Sequence, residues 1–317
     1  MTASPIAKAL VDSAPWLLDH APYVPFMEKR TAHPPGLVPI DPAELTVELP
    51  DFGAQVAHRD RLVAERAAIV LGLEPAAREA ALELLDALVA HQVSKGARLA
   101  PEGEHLVRRD GVAVPLDRDD PMRAIARLGA EDWCILMPGG PGGEYVLRAG
   151  ALCFPARWIL AEKMGKPLTA IHDPVPDYGD DLARRVNRIF DAIRVDRPMY
   201  RVNWLVYDTP EPHLPRGVAE KKHYLPDPSK DLFLRTERQT LHRLPGTGAV
   251  IFGIKTSLTP LACLSADEAM ALADGLEGFD AATVSYRGGA PYLSRVASVL
   301  REIAGQGRGE AASLPSN

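Results

Sequence analysis

This sequence predicts an α+β fold: an antiparallel β-sheet with helices packed against it. Three observations predict it. Two apolar, strand-like stretches in the middle of the chain are followed by helical spacing and then by three further strand-like stretches. The regular strand–helix alternation of a doubly wound parallel sheet is missing. The remaining helical periodicity lies before and after the strands, where it can cover the sheet.

Residues 1–55 are rich in Pro and irregular, with a turn at His33-Pro34-Pro35-Gly36, and read as an extended arm over the body. Residues 56–72 have helical spacing, with Val56, Leu62, Val63, Ile69 and Val70 on one face. Residues 75–93 repeat it behind Pro75, with Leu82, Leu85, Leu88 and Val89 as the stripe. The polar, Gly- and Pro-punctuated stretch 98–120 reads as a surface loop. Strand 133–138 and strand 144–155 make a hairpin about Gly139-Gly140-Pro141-Gly142-Gly143. That run lacks the GxxxxGK[ST] pattern and leads into a strand, so it is not a phosphate loop.

A short helix follows at 156–165 and a longer one at 179–194, whose Asp180 and Asp181 suit the positive end of the helix dipole. Strands are expected at 200–208, 231–243 and 248–258, and helices at 265–277 and 291–304. The expected organisation is an N-terminal arm and helical extension over 1–130, a core with its C-terminal helices over 131–304, and a disordered tail over 305–317.

The chain has 317 residues, 46% hydrophobic and 25% charged, which is ordinary globular composition. A net charge of −6 without a basic tract argues against a nucleic-acid surface. No apolar run is long enough to cross a bilayer, and the first residues do not resemble a signal peptide. Cys134, Cys153 and Cys263 are scattered, which favours a reducing, cytoplasmic setting over a disulfide framework.

The strand 231–243 carries the most chemistry. Alternation places Arg235, Glu237 and Gln239 on one face and Leu234, Thr236, Arg238 and Thr240 on the other. Arg201 and Asn203 share a face of the strand 200–208, and can join the first row if the strands are neighbours. Such a cluster is either a register-fixing ion network or a pocket able to pair a cation through Glu237 and an anion through arginine. His172 lies in Ile171-His172-Asp173-Pro174-Val175-Pro176, a Pro-stiffened loop between helices. Scaffolding is the commoner role for such a histidine, yet a porphyrin-held iron needs only one imidazole. Lys163, Lys166, Arg184 and Arg185 read as surface charges, some within reach of a cofactor carboxylate.

Taken together, Phe154-Pro155-x-x-Trp158, Lys163-Met164-Gly165-Lys166-Pro167-Leu168, the His172 segment, Arg201-x-Asn203-Trp204 and Leu234-Arg235-x-Glu237-Arg238-Gln239-Thr240-Leu241 resemble the haem-dependent oxidative N-demethylase family, whose type member is the haem-carrying α subunit of a dimethylamine monooxygenase. The resemblance runs from Tyr23-Val24-Pro25-Phe26 to Tyr286-Arg287-Gly288. Departures are Ala156 where Ser is usual, a shortened acidic motif at Glu131-Asp132-Trp133, and Arg287 in place of Lys.

The resemblance implies a PAS-like core, matching the strand order, that holds haem b. It implies His172 as axial ligand, Glu237 as partner of a small secondary ammonium, and Arg235, Arg201 or Arg238 as pocket or propionate residues. Asn203 and Trp158 would complete the cofactor surroundings. Dioxygen would be the co-substrate, formaldehyde a product, and separate flavin and iron–sulfur proteins the electron source. The alternative is a non-catalytic haem-PAS module that senses oxygen or a ligand.

Overall fold

The computed structural model describes residues 5–28, 36–139, 143–172, 180–217 and 231–312. It mixes helices with antiparallel sheet, as expected. The N-terminal arm is not wholly irregular. It contains helix α1 (Pro5–Val11) and a two-residue strand β1 (Val38–Pro39). The expected 56–72 helix starts earlier and stops sooner. Helix α2 (Phe52–Glu65) breaks at Arg66, and a single turn α3 (Ala67–Val70) leads into strand β2 (Leu71–Leu73). No Pro or Gly marks that break, so helical periodicity alone overran it. Helix α4 (Arg78–Ser94) follows a 3₁₀ turn at Pro75–Ala77, and its buried stripe is centred on Leu84, Leu85 and Leu88.

The stretch 98–120, expected as a loop, instead folds into a small sheet of β3 (Arg98–Leu99), β4 (His105–Val107) and β5 (Ala113–Pro115). Leu106 and Val114 pin it to the core. Helix α5 (Pro121–Arg127), unforeseen, is capped by the Asp120 carboxylate, which accepts from the Arg123 N–H.

The main sheet then begins with β6 (Glu131–Pro138) and β7 (Tyr145–Ala151), an antiparallel hairpin whose turn residues 140–142 lie outside the described ones. The helix expected at 156–165 shrinks to α6 (Leu160–Lys163), and α7 (Leu168–His172) appears where a loop was expected. After α8 (Asp180–Ala192) come three long strands, β8 (Met199–Tyr207), β9 (Phe233–Arg243) and β10 (Val250–Pro260). Helices α9 (Ala266–Glu277), α10 (Ala281–Tyr286) and α11 (Ala290–Ala312) close the chain. A Ser265–Glu268 capping box starts α9. The segment 305–317, expected to be disordered, continues α11 as far as Ala312, and 313–317 lie outside the described residues.

Seven strands pair in the order β1-β8-β9-β10-β6-β7-β2. Helices α6, α7 and α8 cover one face through Leu160, Leu168 and Phe190 against Leu241, Val250 and Ile254. The other face is covered in two parts. Helices α2, α4 and α5 pack on Trp133, Ile135 and Ile251, and α9 and α11 pack on Leu232 and Leu234. Gly253 lets Trp133 lie against the strand, since a Cβ there would stand 2.6 Å from its ring. No helix among the described residues is long and apolar enough to cross a membrane.

Candidate haem and amine site

Strand register decides which side chains meet. β8 pairs with β9 so that Asn203 stands opposite Glu237, and Arg201 opposite Gln239. On the other side, β10 sets Thr256 opposite Glu237. Paired residues in a sheet share a face, so Arg201, Asn203, Arg235, Glu237, Gln239 and Thr256 form one polar row. It is the face on which Leu241 and Ile254 pack against α7.

Glu237 is 6% exposed and held from three directions. Its Oε1 accepts from Arg235 Nε at 3.1 Å. Its Oε2 accepts from Gln239 Nε2 at 3.1 Å and from Asn203 Nδ2 at 3.4 Å. Arg235 is fully buried and spends its remaining donors inside the protein. Nη1 donates to Pro212 O at 3.0 Å; Nη2 donates to Phe154 O at 2.6 Å and Thr256 Oγ1 at 3.2 Å. The Phe154 carbonyl is itself fixed, because Asp132 accepts from the N–H groups of Cys153 and Phe154 at 2.7 and 2.9 Å. Asp132 is anchored by the buried Arg59 at 2.6 Å. A relay therefore runs from Arg59 through Asp132, the Phe154 backbone and Arg235 to Glu237. Its effect is to freeze the carboxylate's orientation.

Arg201 is different. Among the described residues its guanidinium makes no hydrogen bond and no ion pair within 4 Å. Burial pulls its pKa down from the ordinary arginine value, against the pull of Glu237. Arg287, which enters from the turn after α10, donates to Trp204 O at 2.5 Å and lies 5.1 Å from the Trp204 ring and 5.0 Å from Phe279. Burial lowers its pKa too, while Glu237 raises it and Arg201 lowers it. Arg235 is thus the guanidinium bonded to Glu237, and Arg201 and Arg287 lie farther off.

His172 ends α7 rather than lying in a loop, and residues 173–179 after it are outside the described ones. Its Nδ1 is 2.8 Å from Leu168 O. A carbonyl only accepts, so Nδ1 carries the proton and the lone pair is on Nε2. Burial pushes its pKa below the ordinary histidine value, with Lys163 and Arg201 adding to the shift. The Arg201 charge is felt by both His172 and Glu237, and Leu168 and Ile171 belong to the apolar cluster on Glu237's face. Trp158, Met164 and Phe252 edge that cluster. A neutral imidazole with its proton fixed on Nδ1, beside a partly exposed apolar wall, fits an axial ligand for a haem iron.

The residue-37-to-297 span matches the family model described as haem-dependent oxidative N-demethylase, alpha subunit-like. The chain belongs to this family. Haem dependence and an N-demethylase-related, alpha-subunit-like character follow from the family at that level.

Arg238 is not brought into the group. It projects from the opposite face of β9, donates to Glu44 O at 2.7 Å and lies 5.1 Å from the Tyr200 ring. There it borders a hollow of about 420 Å³ with Tyr23 and Lys95. A second hollow of about 270 Å³ has His58 and His213 in its wall. Neither includes His172 or Glu237. Sequence reasoning missed Arg287 and the Arg59–Asp132 relay. The only signal for Arg287 was its replacement of the usual Lys between Tyr286 and Gly288.

Proposed function

We propose that this chain is a haem-dependent mono-oxygenase subunit with a PAS-like core that removes a methyl group oxidatively from a small secondary amine of the dimethylamine kind. The carrying observation is the rigidly held Glu237 carboxylate on the same sheet face as the neutral His172. His172 Nε2 would ligate the iron of haem b, and Trp158, Met164 and Phe252 would supply apolar wall. When bound, haem supplies dioxygen activation, drawing electrons from separate flavin and iron–sulfur proteins in the cytoplasm.

The residues of the chain do the rest. Glu237 pairs with the substrate ammonium, a charge-assisted contact that orients the N-methyl group. Asn203 and Gln239 keep one carboxylate oxygen in place, and Arg235 keeps the other. Arg235 acts through Glu237 as a positioning residue, since its other hydrogen bonds go to Pro212 O, Phe154 O and Thr256 Oγ1 inside the protein. Arg238, on the far face, has no part in it. In the overall reaction the amine, dioxygen, two electrons and two protons give the shortened amine, formaldehyde and water; the methyl C–N bond breaks and one oxygen atom leaves in each of the last two.

His172→Ala tests the ligand. The variant should fold but lose the Soret absorbance of the haem-loaded protein, while an unchanged spectrum removes His172 from the role. Formaldehyde release from dimethylamine with an electron-donor system tests the reaction: haem without turnover over a panel of small amines favours a sensor.

A further inference from the structure

Among the described residues, the charges around Glu237 do not balance for a simple amine. Arg235 meets Glu237 directly, Arg201 is its diagonal neighbour across the strands, and Arg287 comes to the strand of Arg201 at Trp204 O. A bare dialkylammonium would enter a region already in excess of positive charge, which weakens its binding. Arg201 also stands half-buried with no hydrogen-bonding partner among the described residues. A guanidinium in that condition favours a planar anion, and a carboxylate is the group that fits its fork.

We propose that the molecule bound against Glu237 is an N-methyl α-amino acid, its ammonium on Glu237 and its carboxylate on Arg201, with Arg287 adding to the attraction. This rests on the N-demethylase reading above and narrows its substrate class. The sheet supplies the spacing. Arg201 faces Gln239 across the strands, so it is the diagonal neighbour of Glu237, at a separation long side chains span. An α-amino acid carries its two charges on atoms one carbon apart, so one small molecule can satisfy both residues. A haem propionate offers the same carboxylate chemistry to Arg201. Placed there alone, it would set like charges side by side with Glu237, whereas a zwitterion puts its ammonium between them.

The reaction is unchanged in its balance. For N-methylglycine, dioxygen with two electrons and two protons from the external donor yields glycine, formaldehyde and water.

Calorimetric titration of the haem-loaded full chain with N-methylglycine and, separately, with dimethylamine is the test. N-methylglycine should bind at least about tenfold more tightly. Arg201→Met should reverse the order: N-methylglycine weakens by more than about tenfold, and dimethylamine tightens because a neighbouring cation is gone. Arg201→Lys should restore part of the preference for N-methylglycine, since it keeps the charge without the fork. Dimethylamine binding as well as or better than N-methylglycine to the unaltered chain overturns the substrate class and leaves the demethylase reading standing; this comparison needs no variant to fold. Loss of haem from a folded Arg201→Met, read from its Soret absorbance, also overturns it, by giving the arginine to a propionate. Haem-loaded protein that binds neither amine and releases no formaldehyde sinks both readings.

Discussion

Two buried charged clusters lie back to back on the sheet, and they differ in one respect. On the helix α2 side, Lys255 donates to both Asp51 carboxylate oxygens at 3.2 and 3.1 Å, to Gln55 at 3.0 Å and to Thr256 O at 2.9 Å. Lys255 and Asp51 are both fully buried at their side chains. Every ammonium proton has an acceptor, and the Lys255 charge is paired directly with that of Asp51. On the other side, behind the next residue of the strand, Glu237 is equally well held, but among the described residues arginine outnumbers it. The first cluster is complete in itself, as a network that fixes α2 to the sheet must be. The second is complete only around its carboxylate. A surplus guanidinium marks where a ligand is needed, and burial alone does not distinguish the two.

Removing one partner from each cluster should separate them. Lys255→Met leaves Asp51 buried and unpaired, and should lower unfolding free energy in urea by about 3–5 kcal/mol. The double variant Lys255→Met with Asp51→Asn should recover much of that loss. A single variant as stable as the parent would show that the α2 network is no scaffold.

His242 sharpens the contrast on the scaffold face. It lies edge-on to Trp133, its Nδ1 has no hydrogen-bond partner among the described residues, and burial holds its pKa down to about 4. Its folded-state pKa is thus below the unfolded value of about 6.5, so between these limits only the unfolded chain takes up the proton. The corresponding stability is present above pH 6.5 and is lost as pH falls through about 4. The loss should be about 3 kcal/mol over that window, and His242→Phe should flatten it in denaturation curves at stepped pH.

Glu237→Gln has the smallest expected effect on the fold. Asn203 and Gln239 can turn their amide oxygens to the new amide and Arg235 keeps a bond to its carbonyl oxygen, but the buried guanidinium loses its counter-charge, so stability should fall by about 2 kcal/mol. Haem should be retained, while half-saturation by the amine rises at least about tenfold, roughly 1.4 kcal/mol. Normal saturation would return Glu237 to scaffolding.

The polar row was legible because strand parity is unforgiving. Once Arg235, Glu237 and Gln239 alternate, a period of two places them together, and Arg201 and Asn203 follow from the neighbouring strand. Parity likewise assigned Arg238 to the opposite face, though the family resemblance drew it toward the haem. What escaped was non-periodic. Arg287 reaches strand β8, at Trp204 O, from a turn some fifty residues beyond Glu237 in the chain, and no local pattern encodes that approach. The strands β3, β4 and β5 are two or three residues long, too short for alternation to register against the surrounding Gly and Pro. Arg157, at φ 63°, breaks the helix expected from 156. Nothing in an arginine codon announces a left-handed backbone.

The strand order has a consequence for biosynthesis. Among the described residues, β10 is the last strand, lies between β6 and β9 and is the sole bridge between the β6–β7 and β8–β9 pairs. A ribosome must release residue 260 before the two halves of the sheet can be zipped together. A chain cut before β10 leaves two separate three-stranded pieces, β1-β8-β9 and β6-β7-β2, each with an exposed inner edge.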